Sequence, residues 1–375
     1  MAKVKDTYNL NEKFGIDDDD RKIMALLQEN PNLTHHEIAD RINKSQPAVG
    51  ARILKLERKS LLDTQYAVDL KISKFTILLV SVHAKTPSAI LKDLNDCPFA
   101  VNAFKTSGPR NLTVLLVGTN LERLETIVER HFRSNPDVQH LTEHIIIEPI
   151  SRLVLPVNFA FEANQELKCS EECHNRILKL IEEGKDYDPV DENESEVNEM
   201  FSVDDVDKRI VMYLQDDPTI THTAIGKKVS KSQPAVGARV SKLKDKGFLG
   251  VQKGVNFKTA DYFHLVQVSI SAMNTLKTLE RIKKCPFIVT GYKAAGDTSL
   301  IVYVAGHSLE KIDDIIDYCI RTDENVKDVD TKIILKLNGD FVMPYDFQHE
   351  HVEDVPCKDC NLCVNLTSKD ILDSD

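Results

Sequence analysis

The chain carries most of itself twice. Asp17–Leu62 (DDDDRKIMALLQENPNLTHHEIADRINKSQPAVGARILKLERKSLL) returns as Asp204–Leu249 (DDVDKRIVMYLQDDPTITHTAIGKKVSKSQPAVGARVSKLKDKGFL). After a one-residue insertion the match continues: Cys97 pairs with Cys285, Gly108 with Gly296, Gly118 with Gly306, Pro156 with Pro344 and Cys169 with Cys357, all 188 positions apart. An internal repeat of this extent decides the architecture before any single residue does. Whatever one copy folds into, the molecule contains two.

Each copy opens on about 50 residues that read as three helices. Asp17–Asp20 supply acids to a helix N-terminus, where they complement its dipole, and Ile23, Leu26 and Leu27 form its apolar stripe. Asn30-Pro31 ends it. Thr34-His-His-Glu37 fits a capping box for a second helix; Ala224 replaces the glutamate in the second copy. Ser45 and Ser232 are expected N-caps of a third helix, with Pro47 and Pro234 tolerated in its first turn. Val49, Ile53 and Leu56, and Val236, Val240 and Leu243, are its buried side. The pattern is a helix-turn-helix.

The third helix begins with nine residues that are identical in both copies, KSQPAVGAR at Lys44–Arg52 and Lys231–Arg239. Packing tolerates apolar exchange, and these residues are mostly small or polar. Small side chains permit close approach to a groove, glutamine can bond adenine, and cations can reach guanine or phosphate. The expected DNA-contacting set is therefore Lys44, Ser45, Gln46, Ala48, Gly50, Ala51, Arg52, Lys55 and Arg58, with Lys231, Ser232, Gln233, Ala235, Gly237, Ala238, Arg239, Lys242 and Lys244 in the second copy. Gln46, Gln233, Arg52 and Arg239 are expected on bases; Lys55, Arg58, Lys242 and Lys244 on phosphates. Two identical helices suit two half-sites of one operator in double-stranded DNA. A duplicated scaffold whose helix is merely unchanged is the bland alternative.

A net charge of −11 argues against a nucleic-acid partner until it is located. Glu182–Glu199 holds nine acids and one lysine, and Gln348–Asp375 seven acids and two lysines, so the remainder is slightly basic. Thr221–Lys253 carries eight lysines or arginines against Asp245 alone; Thr34–Leu62 carries six against three acids. The second copy should supply more of the salt-sensitive affinity.

Beyond the helices, Val68–Ile150 and Val255–Leu337 alternate β-branched runs with two helical stretches in the order βαββαβ. That implies a four-stranded antiparallel ferredoxin-like sheet with helices on one face and a bare face that needs a partner. The fold class is α+β, with expected domains at 1–15 (tail), 16–66 (winged helix 1), 67–155 (sheet domain 1), 156–202 (cysteine-containing extension and acidic linker), 203–253 (winged helix 2), 254–340 (sheet domain 2) and 341–375 (acidic cysteine-rich tail).

The opening DDRKIMALLQENP, the SxxxVxxRIxxLE pattern at Ser45–Glu57 and the loop TSGPRNLTVLLVG together resemble the Lrp/AsnC family of bacterial and archaeal transcription regulators. The resemblance implies a DNA-binding winged helix joined to an effector-binding sheet domain that dimerises through its sheet; here two copies would form an intrachain pseudodimer, with self-association of fused units also expected. The archaeal type is the nearer likeness. Effector contacts implied by the family fall on Gly108, Asn111, Gly296 and Ser299, within loops where the family commonly shows Gly-x-x-Asp; a carboxylate is absent from both. The usual Gly-Leu-Ser turn is Asn43-Lys44-Ser45 here. Siroheme decarboxylases share the paired layout and are similar in architecture. Their pocket strand carries His and Arg with a nearby Trp, whereas Phe99–Lys105 has no histidine and the chain contains no tryptophan. The expectation is a regulator without catalytic residues; a siroheme-decarboxylase-like tetrapyrrole enzyme on the same architecture and a DNA architectural protein without effector are the alternatives.

Matching extensions follow each sheet domain. Cys169, Cys173 and His174 lie in the first, and Cys357, Cys360 and Cys363 in the second. Thiolates and imidazoles at such spacing suit Zn²⁺, which takes four N/S ligands. A shared zinc site of Cys169, Cys173, Cys357 and Cys360 is expected if the tails meet, with Cys363 or His174 as alternates; redox thiols or an acidic tail with incidental cysteines remain open readings. Cys97, Cys285 and Cys319 are expected core fillers. The sequence holds no run of about 18 apolar residues and no apolar leader, so no membrane association and a cytoplasmic location are expected.

Overall fold

In the computed structural model, residues 14–95, 97–161 and 195–347 are described. The first copy begins with α1 (Asp18–Glu29), α2 (His35–Ile42) and α3 (Gln46–Arg58). Asp17 caps α1 in a reciprocal box with Asp20, Thr34 and Glu37 do the same for α2, and Ser45 accepts from Ala48 N at the start of α3. Each cap satisfies amide groups that a helix leaves without internal partners. Ile23, Met24, Leu27, Ile38, Val49, Ile53 and Leu56 are buried between the three helices.

The wing strand β1 (Asp63–Asp69) leads into the sheet: β2 (Thr76–Ala84), α4 (Pro87–Leu94), β3 (Ala100–Thr106), β4 (Leu112–Gly118), α5 (Leu121–Val128), β5 (Val138–Pro149) and the short β6 (Val154–Leu155). After α6 (Glu196–Phe201) the second copy repeats the order with α7 (Asp205–Asp216), α8 (His222–Val229), α9 (Gln233–Asp245), β7 (Leu249–Asn256), β8 (His264–Ala272), α10 (Thr275–Ile282), β9 (Ile288–Ala294), β10 (Leu300–Gly306), α11 (Leu309–Ile315), β11 (Val326–Leu337) and β12 (Val342–Met343). At α8 Thr221 accepts from Ala224 N, and the reciprocal half of the box is missing as the alanine dictates.

Both sheets have the expected βαββαβ order, and they do not end at their edges. β5 pairs with β9, and β11 with β3, so eight strands close in the order β10-β8-β11-β3-β4-β2-β5-β9. The faces turned from the helices meet inside. Phe104 lies 5.6 Å from Tyr303, and Tyr292 5.9 Å from Tyr303, ring centre to ring centre, all fully buried. The bare faces anticipated from the sequence are thereby covered by each other, with no strand edge left at either seam.

A second sheet, β12-β7-β1-β6, ties the winged helices together. Gln65 and Gln252 are register partners at its centre. Gln65 Oε1 accepts from Val342 N at 3.2 Å, and Gln252 bonds Val154 N through Oε1 at 3.1 Å and Val342 O through Nε2 at 2.7 Å. Buried amides with few alternatives fix this register. β6 and β12 are not among the strands expected from the sequence, because two-residue strands carry no periodic signal.

Candidate nucleic-acid interface

The third helix of each copy presents a short run to solvent. Gln46, Pro47 and Ala51 are exposed on α3, as are Gln233, Pro234 and Ala238 on α9. Ala48 and Ala235 are half-buried beside them. Leu54 is 52% exposed on the same side, where the second copy has exposed Ser241. Ser45 and Ser232 set the direction of these helices by capping them. Gly50 and Gly237 serve the packing: a Cβ at either would stand 3.3 Å from His35 Nδ1 or 3.4 Å from His222 Nδ1, so their small size lets the two helices of each motif approach.

The arginines face elsewhere. Arg52 Nη1 lies 2.7 Å from Asp17 Oδ1 and 2.7 Å from Asp20 Oδ1, with Nη2 3.3 Å from Asp19 Oδ2. Arg239 Nη1 repeats the arrangement, 2.7 Å from Asp204 Oδ2 and 2.7 Å from Asp207 Oδ1. Hydrogen bonds to Asp17 and Asp20 hold the Arg52 guanidinium firmly charged. Burial alone would lift the Asp204 carboxyl, but the Arg239 hydrogen bond and the Asp207 amide overcome it and hold the group below the usual carboxylate range; Asp17 behaves the same way with Arg52. This differs from the sequence expectation that both arginines contact bases. They clamp the third helix to the capped start of the first. The signal was present in the sequence as acids at matching positions of both copies, Asp17 and Asp204, Asp20 and Asp207.

The lysines divide by copy. Lys44 pairs with Asp19 at 2.9 Å, and Lys55 with Asp20 and the Gly15 carbonyl, each at 2.7 Å. Val206 replaces Asp19 in the second copy; Lys231 and Lys242 are exposed there with no ion pair among the described residues. Arg58 is also exposed. Lys244, expected on phosphate, is half-buried instead. It donates to Asn32 Oδ1 at 3.0 Å and lies 5.3 Å from the centre of the Tyr66 ring, so it joins the two winged helices. Burial, and then nearby Arg152, push its ammonium pKa down.

The loop residues implied as effector contacts close turns. Gly108 and Gly296 have φ of 82° and 96°, backbone that favours glycine. The Asn111 side chain bonds both N and O of Ala84, at 3.0 and 2.9 Å; Ser299 Oγ accepts from Ala272 N at 3.1 Å. Each loop also docks on the other copy, Ser107 N to Ile333 O at 2.8 Å and Ala295 N to Ile145 O at 2.9 Å.

Cys169, Cys173, His174, Cys357, Cys360 and Cys363 lie outside the described residues. Among the described residues no group of three or more His, Cys, Asp or Glu could hold a metal ion, and no helix is long and apolar enough to cross a membrane. Cys97, Cys285 and Cys319 are buried, as expected.

Comparison with known proteins agrees with this geometry. The AsnC-type helix-turn-helix domain matches residues 16–57 and again 203–244, and the Lrp/AsnC ligand binding domain matches 264–337. The HTH-type transcriptional regulator LrpA of Pyrococcus horikoshii is 29% identical over 140 residues, 36% of this chain and 97% of that protein. The HTH-type transcriptional regulator FL11 of Pyrococcus furiosus is 24% identical over 139 residues, 36% of this chain and 91% of its own. The solved structure of the siroheme decarboxylase NirDL aligns over 89% of this chain and 96% of that one, with a TM-score of 0.50 and 14% identity. At that identity the likeness is one of fold.

Proposed function

The chain belongs to the Lrp/AsnC family of transcription regulators, carried twice in tandem, and from that premise we propose that it is an intrachain pseudodimer reading a two-part operator in double-stranded DNA. The observation that carries this reading is the exposure of the same residues on both third helices, Gln46, Pro47 and Ala51 with Gln233, Pro234 and Ala238. Each helix enters a major groove by its N-terminal turns. The glutamines bond base edges, with adenine the fitting partner, while the alanines and Leu54 meet apolar edges such as the thymine methyl. Arg58, Lys231 and Lys242 supply phosphate contacts.

The role of Arg52 and Arg239 follows from their ion pairs: they hold the reading helix at a fixed angle to the first helix. The β1–β7 ribbon with its Gln65–Gln252 centre holds the two winged helices to each other, which sets half-site spacing. The closed eight-stranded sheet keeps the copies paired and carries the effector-responsive part. Selection of bound duplexes from a random pool tests the reading. A motif of two related, inverted halves supports it; a single unpaired element, or no sequence preference, refutes it.

A further inference from the structure

The two seams that close the eight-stranded sheet are related by the duplication, yet their charges differ. At the β5–β9 seam Glu148 is the register partner of Lys293, and Glu148 also lies 3.1 Å from Lys71 Nζ. The Lys71 hydrogen bond, with Lys293 and Lys283 nearby, holds this carboxyl below its usual range. Opposite charges there face each other as a cross-strand pair should.

At the β11–β3 seam the same two positions are Lys336 and Lys105, again register partners. Like charges directly opposite in an antiparallel pair oppose the pairing. A third cation adds to them: Lys92, on α4, lines one cleft with Lys105 and Lys336, together with Ser88, Leu91, Asn95 and Asn338. Its counterpart in the second copy is Glu280. The two copies therefore differ at these positions, Glu, Lys and Glu at one seam against three lysines at the other. No carboxylate among the described residues lines the cleft, and none of the three lysines has an ion-pair partner among them. The cleft measures about 360 Å³, room for a small molecule. Ser88, Asn95 and Asn338 add hydroxyl and amide groups, and Asn338 Nδ2 bonds Asn95 Oδ1 at 2.6 Å.

We propose that the cleft formed by Lys92, Lys105 and Lys336 is a binding site for a small, multiply charged phosphate-bearing ligand, bridging the two copies at one seam only. Three convergent cations raise the local concentration of such an anion, and bound anion converts the repelling Lys105–Lys336 pair into a crosslink between sheets. A singly charged carboxylate leaves two of the three ammonium groups uncompensated. The cleft lies on the same seam as the Gly108 loop but is lined by neither Gly108, Asn111, Gly296 nor Ser299, and the proposal does not depend on how DNA is read.

Inorganic pyrophosphate titrated into the full chain is the probe, by calorimetry and thermal melting, against potassium chloride at matched ionic strength. The native protein should show saturable binding and a rise in Tm that chloride does not give. Lys336→Glu rebuilds the arrangement of the other seam, so it should fold with an unchanged or higher Tm while losing pyrophosphate affinity at least tenfold. Lys92→Glu should lose affinity comparably without touching the strand pair. No saturable binding by the native chain, or binding by either variant as tight as the native chain's, overturns the proposal. So does a tenfold loss of DNA affinity in Lys336→Glu without a pyrophosphate effect, which assigns the lysines to the duplex.

Discussion

Arg239 Nη1 sits 2.7 Å from Asp207 Oδ1, joining the third helix of the second winged helix to the first turn of α7, and Arg52 repeats the contact with Asp20 in the first copy. An arginine inside an invariant nonamer thus belongs to the frame that aims the helix. The side-chain carboxylate of Asp207 is only 4% exposed, so removing its partner leaves a charge that water cannot reach. Arg239→Ala should cost about 1–3 kcal/mol of stability, read as a fall in Tm. Gln233→Ala, on the exposed side, should leave Tm nearly unchanged and weaken operator binding by about 1–3 kcal/mol. Equal Tm values for the two variants would contradict this division of roles.

The same clamp makes an acid-dependent prediction. The Asp17 and Asp204 carboxyls are held below their usual value by their arginines. A group with a depressed folded pKa contributes stability that is complete above its unfolded pKa, near 4, and is lost as pH falls through the folded value. Tm should therefore hold between pH 7 and 5 and drop below about pH 4. Asp204→Asn should show a lower plateau and a shallower drop; an identical profile for native and variant would refute the assignment.

Much of this was legible in the sequence, and for identifiable reasons. Repeats, caps and apolar stripes are local signals, so α1 to α3 and their copies, Ser45, Ser232 and the βαββαβ order were all readable. What each polar residue of the nonamer faces is not local. Arg52 lies 35 residues from Asp17, and Lys244 meets Asn32 from the other copy, contacts that no periodicity encodes. The seams were hidden for the same reason: β3 and β11 pair across more than 200 residues, and only the register reveals that Lys105 faces Lys336.

The centre of the winged-helix ribbon should be intolerant of change. Gln252 is 4% exposed and satisfies one backbone N–H and one carbonyl. Gln252→Ala strands both groups in a buried sheet, at about 1–3 kcal/mol each. Denaturant titration should show the loss; unaltered stability would mean that the ribbon does not depend on this amide.

The copies should differ in salt response. Lys44 is already paired with Asp19, whereas Lys231 is exposed and Val206 stands at the position that matches Asp19. Lys231→Gln should lower the slope of log affinity against log salt by about 1, and Lys44→Gln by clearly less. Equal slopes would place both lysines alike at the duplex.

The most direct measurement is the affinity of the full chain for three duplexes: the selected two-part operator, and the same operator with the left or the right half scrambled. Two matched helices on one polypeptide require that either scrambling lowers affinity at least tenfold, and by amounts that agree within a few-fold. If one half can be scrambled without loss, only one winged helix reads sequence and the central claim fails.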